Sequence, residues 1–251
     1  MIIAFIEAPC FGEREHIRIS ALKTPHSNVV DILSELRQSG EYVPRSALSL
    51  FSSTYQRLPR IISTFRTAGL NAKVFFVAPI GLLSDNDLAI PYEECFAELS
   101  SEVIASLLNK FGAITKIYDL LEANFDLSIF CLRAKILRAI EADYYIPTGR
   151  PAIIVSDSYF GGKENIYVIT PNHFICSRLR KLYGKVTLYD LYQHILEYVA
   201  RGLSRLLESG YSARALFGDP AKLFGALFSP SMMDDLLRIS PRQDRLVRFL
   251  F

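Results

Sequence analysis

Lys73-Val-Phe-Phe-Val-Ala78, Pro79-Ile-Gly-Leu-Leu83, Ser84-Asp-Asn-Asp87 and Ile90-Pro-Tyr92 read in order as a buried strand, a glycine turn, a short acidic loop and a re-entry into the protein. Open α/β sheets bind their ligands beyond the carboxyl ends of strands, where the strand order reverses. A strand that runs into a glycine turn and an acidic loop places backbone and carboxylate groups in that position. The spacing therefore predicts an α/β fold and makes Gly81, Asp85 and Tyr92 candidate ligand contacts.

The same kind of apolar run recurs along the chain. Ile2 to Ala8, Asp126-Leu-Ser-Ile-Phe-Cys-Leu132, Ala152-Ile-Ile-Val155 and Ile166-Tyr-Val-Ile169 read as further strands. Helical spacing is found over Val29–Gln38, Leu48–Thr67 with a break at Pro59, Tyr92–Phe111, and from strand three through Ile140. Strands that are continuously apolar, and that alternate with helices, predict a mostly parallel or mixed sheet covered by helices. After about residue 172 no strand pattern remains. Leu188–Glu208 is the longest helical run, followed by Ala221–Phe228 and Met232–Ile239. The expected division is an α/β core over 1–172 and a helical C-terminal segment over 173–251. The segment Ser156-Asp-Ser158 to Gly161-Gly-Lys163 lacks the spacing of a nucleotide-binding loop and reads as a hairpin connection.

At 251 residues the chain can bury about three quarters of the surface its unfolded form exposes, so it needs no staples to fold. Half of its residues are hydrophobic and 22% are charged, which excludes a disordered chain. Cys10, Cys95, Cys131 and Cys176 are too widely spaced to read as a disulfide framework. Four free thiols in a reduced, cytoplasmic protein are expected. Met1-Ile-Ile-Ala-Phe-Ile6 meets Glu7 at once and is too short for a signal peptide or a membrane span.

The net charge of +2 conceals an asymmetry. Acids dominate from Leu82 to Asp126, and bases from Cys176 to Arg205. The basic stretch holds Arg178, Arg180 and Lys181, interleaved further on with Tyr183, Tyr189, Tyr192 and Tyr198. It reads either as a polyanion-facing surface or as solvated helix faces with snorkelling tyrosines. Arg133, Lys135 and Arg138 follow strand three, where cations can meet phosphate or simply decorate a helix. Cys10 also reads two ways: a nucleophile whose thiolate Arg14 and His16 could favour, or a small residue filling a strand end. Cys10, His16 and His26 match no short zinc-ligand spacing, so no metal is expected, and no cofactor motif is present.

A first strand ending in Pro9-Cys10, a second ending in a Gly-Leu-Leu turn followed by Pro-Tyr, and a third reading Phe125-Asp-Leu-Ser-Ile-Phe130 together resemble one known core. It is the core shared by archaeosine synthases and the peroxide-stress DNA-binding protein family, over roughly Met1 to Thr170. The archaeosine synthase core carries Pro-Cys-x3-Lys-Pro-Tyr-x2-Ser-x2-His. Here Pro9 and Cys10 are kept and Arg14 stands at the Lys, while Glu15, His16, Ile19 and Leu22 replace the remaining residues. The resemblance implies a nucleic-acid-associated protein of tRNA modification, acting as enzyme or as subunit. Its site would draw Cys10 and Arg14 from the first loop, Gly81, Asp85 and Tyr92 from the second and Arg133 from the third. The alternatives it leaves open are a non-enzymatic DNA-binding stress protein and an interaction subunit serving a partner modification enzyme.

Overall fold

The structure is a computed structural model and describes residues 1–10, 45–89, 92, 95–158 and 162–237. The helix expected over Val29–Gln38 lies outside the described residues. Strands are β1 (Ile2–Glu7), β2 (Arg45–Ser46), β3 (Ala72–Ala78), β4 (Gly81–Ser84), β5 (Leu88–Ala89), β6 (Leu127–Cys131), β7 (Ala152–Val155) and β8 (Ile166–Ile169). Among the described residues the main sheet has the order β4-β3-β1-β6-β7-β8, and β2 pairs with β5 in a separate ribbon. Every pairing in the main sheet is parallel except β3 with β4. The sheet is mixed and mostly parallel, covered by helices on both faces.

Why the chain winds this way follows from the two faces of β1. Successive residues of a strand point to opposite sides. Ile2, Ala4 and Ile6 enter one core with Leu58, Ile61 and Phe65 of helix α2 (Leu58–Thr67), which follows the short α1 (Ala47–Leu50). Ile3 and Phe5 enter the other. There they meet α3 (Ser101–Lys110), α4 (Ala113–Glu122) and α5 (Ala134–Ala139). Passing from β1 to β3, the chain crosses on the first face. Returning from β3 to β6, it crosses on the second. Reversing direction and face together keeps the handedness of crossovers uniform. Taken in chain order, the parallel strands stand second, first, third, fourth, fifth, so the order reverses between β1 and β6.

The tail packs onto the first face. It comprises α7 (Phe174–Tyr183), α8 (Leu188–Glu208), α9 (Ala213–Phe217), α10 (Pro220–Leu227) and α11 (Pro230–Leu237), the short α6 (Ala142–Tyr145) having preceded β7. Among the described residues no strand follows Ile169, as expected, yet Ile195, Val199 and Leu203 of α8 share one core with Ile153, Val155 and Ile169 of the sheet. At Gly202 a Cβ would stand 2.4 Å from Leu227 Cδ1, so a side chain there would have to displace the Leu227 side chain of α10.

Three expectations are corrected. Gly81 to Ser84 is an antiparallel edge strand, not a turn: Ala78 pairs with Gly81 (φ 125°) and Phe75 with Ser84. The helix expected over Tyr92–Phe111 begins only at Ser101, where Ser100 Oγ accepts from Val103 N. The hairpin expected between Val155 and Ile166 is a parallel connection. Asn165 decides the last. Its Nδ2 donates to the carbonyls of Pro147 (2.9 Å) and Arg150 (2.7 Å), which fixes the start of β8 beside the start of β7.

Candidate functional site

Reversal of the strand order opens a crevice at the carboxyl ends of β1 and β6, because the chain leaves the two strands toward opposite faces. Glu7 ends β1 there with its side chain fully buried. Arg133 follows β6, and its Nε donates to Glu7 Oε1 at 2.8 Å while its backbone N–H donates to Oε2 at 3.3 Å. Tyr189 of α8 approaches the same carboxylate, its hydroxyl 3.4 Å from Oε1. Tyr55 donates to the Glu7 carbonyl from the side of α2.

Electrostatics at this pair are a contest between burial and charge. Burial pushes the Glu7 carboxyl above the ordinary range, and Arg133 pulls it back without cancelling the rise. Burial also works against the Arg133 guanidinium, but Glu7 more than offsets it and holds the cation charged. The Tyr189 phenol is pushed up to about 12, first by burial and then by Glu7. A buried carboxylate with a guanidinium on it is internally compensated. What it offers a ligand is a rigid wall.

Beside that wall lies a cavity of about 260 Å³, lined by Arg133, Asp157, Arg180, Val186, Leu188 and Leu191 among others. Asp157 follows β7, and its Oδ1 accepts from Ala134 N at 2.8 Å and Ser156 Oγ at 3.2 Å. These bonds hold the carboxylate at the first turn of α5, where the helix dipole favours an anion. Arg180 comes from α7 and has no ion-pair partner among the described residues. Cys176 also lines the cavity. Its Sγ donates to the Thr170 carbonyl at 3.2 Å and burial pushes its thiol up to about 11, so it is a packing residue rather than a thiolate. The Tyr192 hydroxyl of α8 is buried without a hydrogen-bond partner among the described residues.

The residues expected at the site divide. Arg133 is there, but bound to Glu7. Tyr92 is fully buried, donating its hydroxyl to the Pro9 carbonyl at 2.9 Å, and so braces the end of β1. Asp85 is not at the carboxyl edge. Because β4 runs back along β3, the chain has returned to the level of Phe75 by Ser84. The turn that follows closes on itself and on α1: Asp87 Oδ2 accepts from Ser84 N, and the Asp85 and Asp87 carbonyls accept from Leu48 N and Ala47 N. Gly81 stays near the carboxyl end of β3, opposite Ala78. Arg14 and His16 lie outside the described residues. Nor do Arg178, Arg180 and Lys181 share one environment. Arg178 is paired with Asp234 of α11, Arg180 lines the cavity and Lys181 is exposed.

Cys10 corrects the expectation of four free thiols: it is bonded to Cys95, with a Cα–Cα distance of 5.1 Å. Eighty-five positions separate them. Only the return of the chain across the end of β1, where Tyr92 meets Pro9, brings them together. In this state Cys10 has no thiol to act as a nucleophile. Denatured, unreduced protein should titrate with two thiols, Cys131 and Cys176, and with four after reduction. Four thiols before reduction would show the bond to be absent.

Sequence reasoning did not single out Glu7 or Asp157, and it named Tyr189 only among the tyrosines of the basic stretch. For Glu7 a signal was present. It is an acid ending a wholly apolar strand run, where an unpaired charge would be expensive and a partner is therefore implied, whereas Asp157 is exposed and stands beyond β7, after Ser156. Comparison with family models, with curated proteins and with solved structures finds no match to this chain.

Proposed function

We propose that the protein is a nucleic-acid-associated protein that takes a phosphate-bearing group in the cleft beyond β6 and β7. One observation carries this reading: Arg180 lines a concave, partly apolar cavity at the carboxyl edge of a parallel sheet and makes no ion pair among the described residues, Asp157 of the same cavity included. Such a cation costs little to expose and gains most when a phosphate displaces its water. Lys181 and Lys185, close to Arg180 in the sequence and exposed, add positive charge to this segment without lining the cavity.

Binding is favoured over catalysis by the state of Cys10. The resemblance to archaeosine synthases would make this residue part of the site, and its sulfur is held by Cys95. Among the described residues no helix is long and apolar enough to cross a membrane. A cytoplasmic location suits a nucleic-acid ligand. The disulfide is unusual for that compartment, and the thiol titration above measures how much of the protein carries it.

Filter binding of unmodified tRNA over a range of salt tests the reading. Arg180→Ala should weaken binding and reduce the slope of log K against log salt by about one. Arg178→Ala should change the slope little, because its charge is already paired with Asp234. Wild-type affinity and slope in Arg180→Ala would reject the cleft as the phosphate site.

A further inference from the structure

With Glu7 and Arg133 neutralising one another, the charges that face the cavity unspent are those of Asp157 and Arg180. A ligand that fits must therefore present an anion to one and hydrogen-bond donors to the other. We propose that the cleft takes a single ribonucleotide unit, with its phosphate on Arg180 and its ribose hydroxyls on Asp157, and thereby prefers RNA to DNA. This rests on the phosphate reading above.

Four observations support it. Asp157 Oδ1 is committed to Ala134 N and Ser156 Oγ, while Oδ2 has no partner among the described residues. The carboxylate is thus already oriented, and a ligand need not order it. A free or 3′-terminal ribonucleotide offers a vicinal pair of hydroxyls and an internal one its 2′-hydroxyl, and a carboxylate beyond a strand end is the acceptor that α/β nucleotide sites commonly present to them. The cavity, about 260 Å³, lies just below the size range of about 300–1,000 Å³ typical of drug-sized ligands, so it has room for no more than one nucleotide unit and excludes a duplex. Val186, Leu188 and Leu191 provide an apolar wall for one face of a base. None of these three supplies a side-chain hydrogen-bonding group, and the hydroxyl of Thr187, which also lines the cavity, is engaged with Asp190, so base identity is weakly read.

The same carboxylate works against DNA. Without a 2′-hydroxyl, Asp157 keeps part of its negative charge unmatched beside a phosphodiester, a repulsive element that raises specificity. Because Asp157 is itself solvent-exposed, the expected discrimination is moderate, roughly tenfold, at the low end for hydrogen bonds to a charged group.

Isothermal titration with AMP, GMP, CMP and UMP, each against its 2′-deoxy counterpart, tests the proposal on the wild type, Asp157→Asn and Arg180→Ala. Asn keeps an oxygen for Ala134 N but puts an N–H₂ donor where Oδ2 stood. Asp157→Asn should therefore keep its melting temperature and lose the ribose preference, while Arg180→Ala weakens ribo- and deoxyribonucleotides alike. Equal binding of the two sugars by the wild type, or a preference that survives Asp157→Asn, overturns ribose readout. If Arg180→Ala still weakens binding in that case, the phosphate site stands. No binding of any nucleotide, or binding indifferent to Arg180, overturns both.

Discussion

An Arg133→Met protein should be less stable than the wild type by about 3–5 kcal/mol at pH 8, and much of that loss should return on acidification. Glu7 is fully buried, and Arg133 supplies its charged partner. Removing one member of a buried pair leaves the other's charge uncompensated, which costs more than the pair itself contributes. The direction with pH follows from the carboxyl. Burial already holds the folded-state value above 4.5, and losing the guanidinium removes the main influence that lowers it. A group raised in the folded state contributes stability that is complete below its unfolded value and lost as pH rises through its folded value. Urea denaturation at pH 5 and pH 8 should show a smaller deficit at pH 5. Glu7→Gln combined with Arg133→Met should recover much of the loss at pH 8, since neither partner is then charged. A deficit independent of pH, or a double variant no better than the single, would show that Arg133 acts through packing alone.

Phe130→Ala should cost about 3–5 kcal/mol. Phe75, Phe5 and Phe130 lie side by side on three neighbouring strands, since Phe5 is in register with both of the others. Their rings stack at 5.9 Å and 5.0 Å across β3, β1 and β6. Phe130 and Phe5 are fully buried, whereas Phe75 is half-buried nearer the edge. Truncating Phe130 leaves a cavity between sheet and helices that α3 and α5 cannot fill, because both are also packed against one another. Phe75→Ala should cost distinctly less, and Phe130→Leu less than about 2 kcal/mol. Denaturation midpoints with unchanged m-values would report stability alone. A Phe130→Ala protein within about 1 kcal/mol of the wild type would mean that the stack is not part of the stabilising core.

Apolar patterning made the elements legible. Leu188–Glu208, Ala152–Val155 and Ile166–Ile169 are found at the expected residues, and the other core strands lie within a residue or two. Burial imposes a local period on a helix or strand, and that period is written in neighbouring residues. The absence of strand patterns after Ile169 was legible for the same reason. Where local patterns misled, hydrogen bonds or a disulfide that apolar periodicity does not show had decided. Cys95, Phe96 and Leu99 have helical spacing, yet the helix waits for its cap at Ser100. The direction of β8 depends on Asn165 reaching the carbonyls of Pro147 and Arg150, and a short apolar strand carries no mark of its own direction. Cys10 and Cys95 have no shared motif, and the chain between them sets their meeting. The site was half legible. Arg133 and Arg180 stood out as cations, but their difference did not: tertiary structure gives one of them Glu7, from the far end of the sequence, and leaves the other facing a cavity. A charge is a property of one residue and can be read alone. Whether that charge is spent depends on which strand ends the crossovers bring together, and only the folded chain determines that.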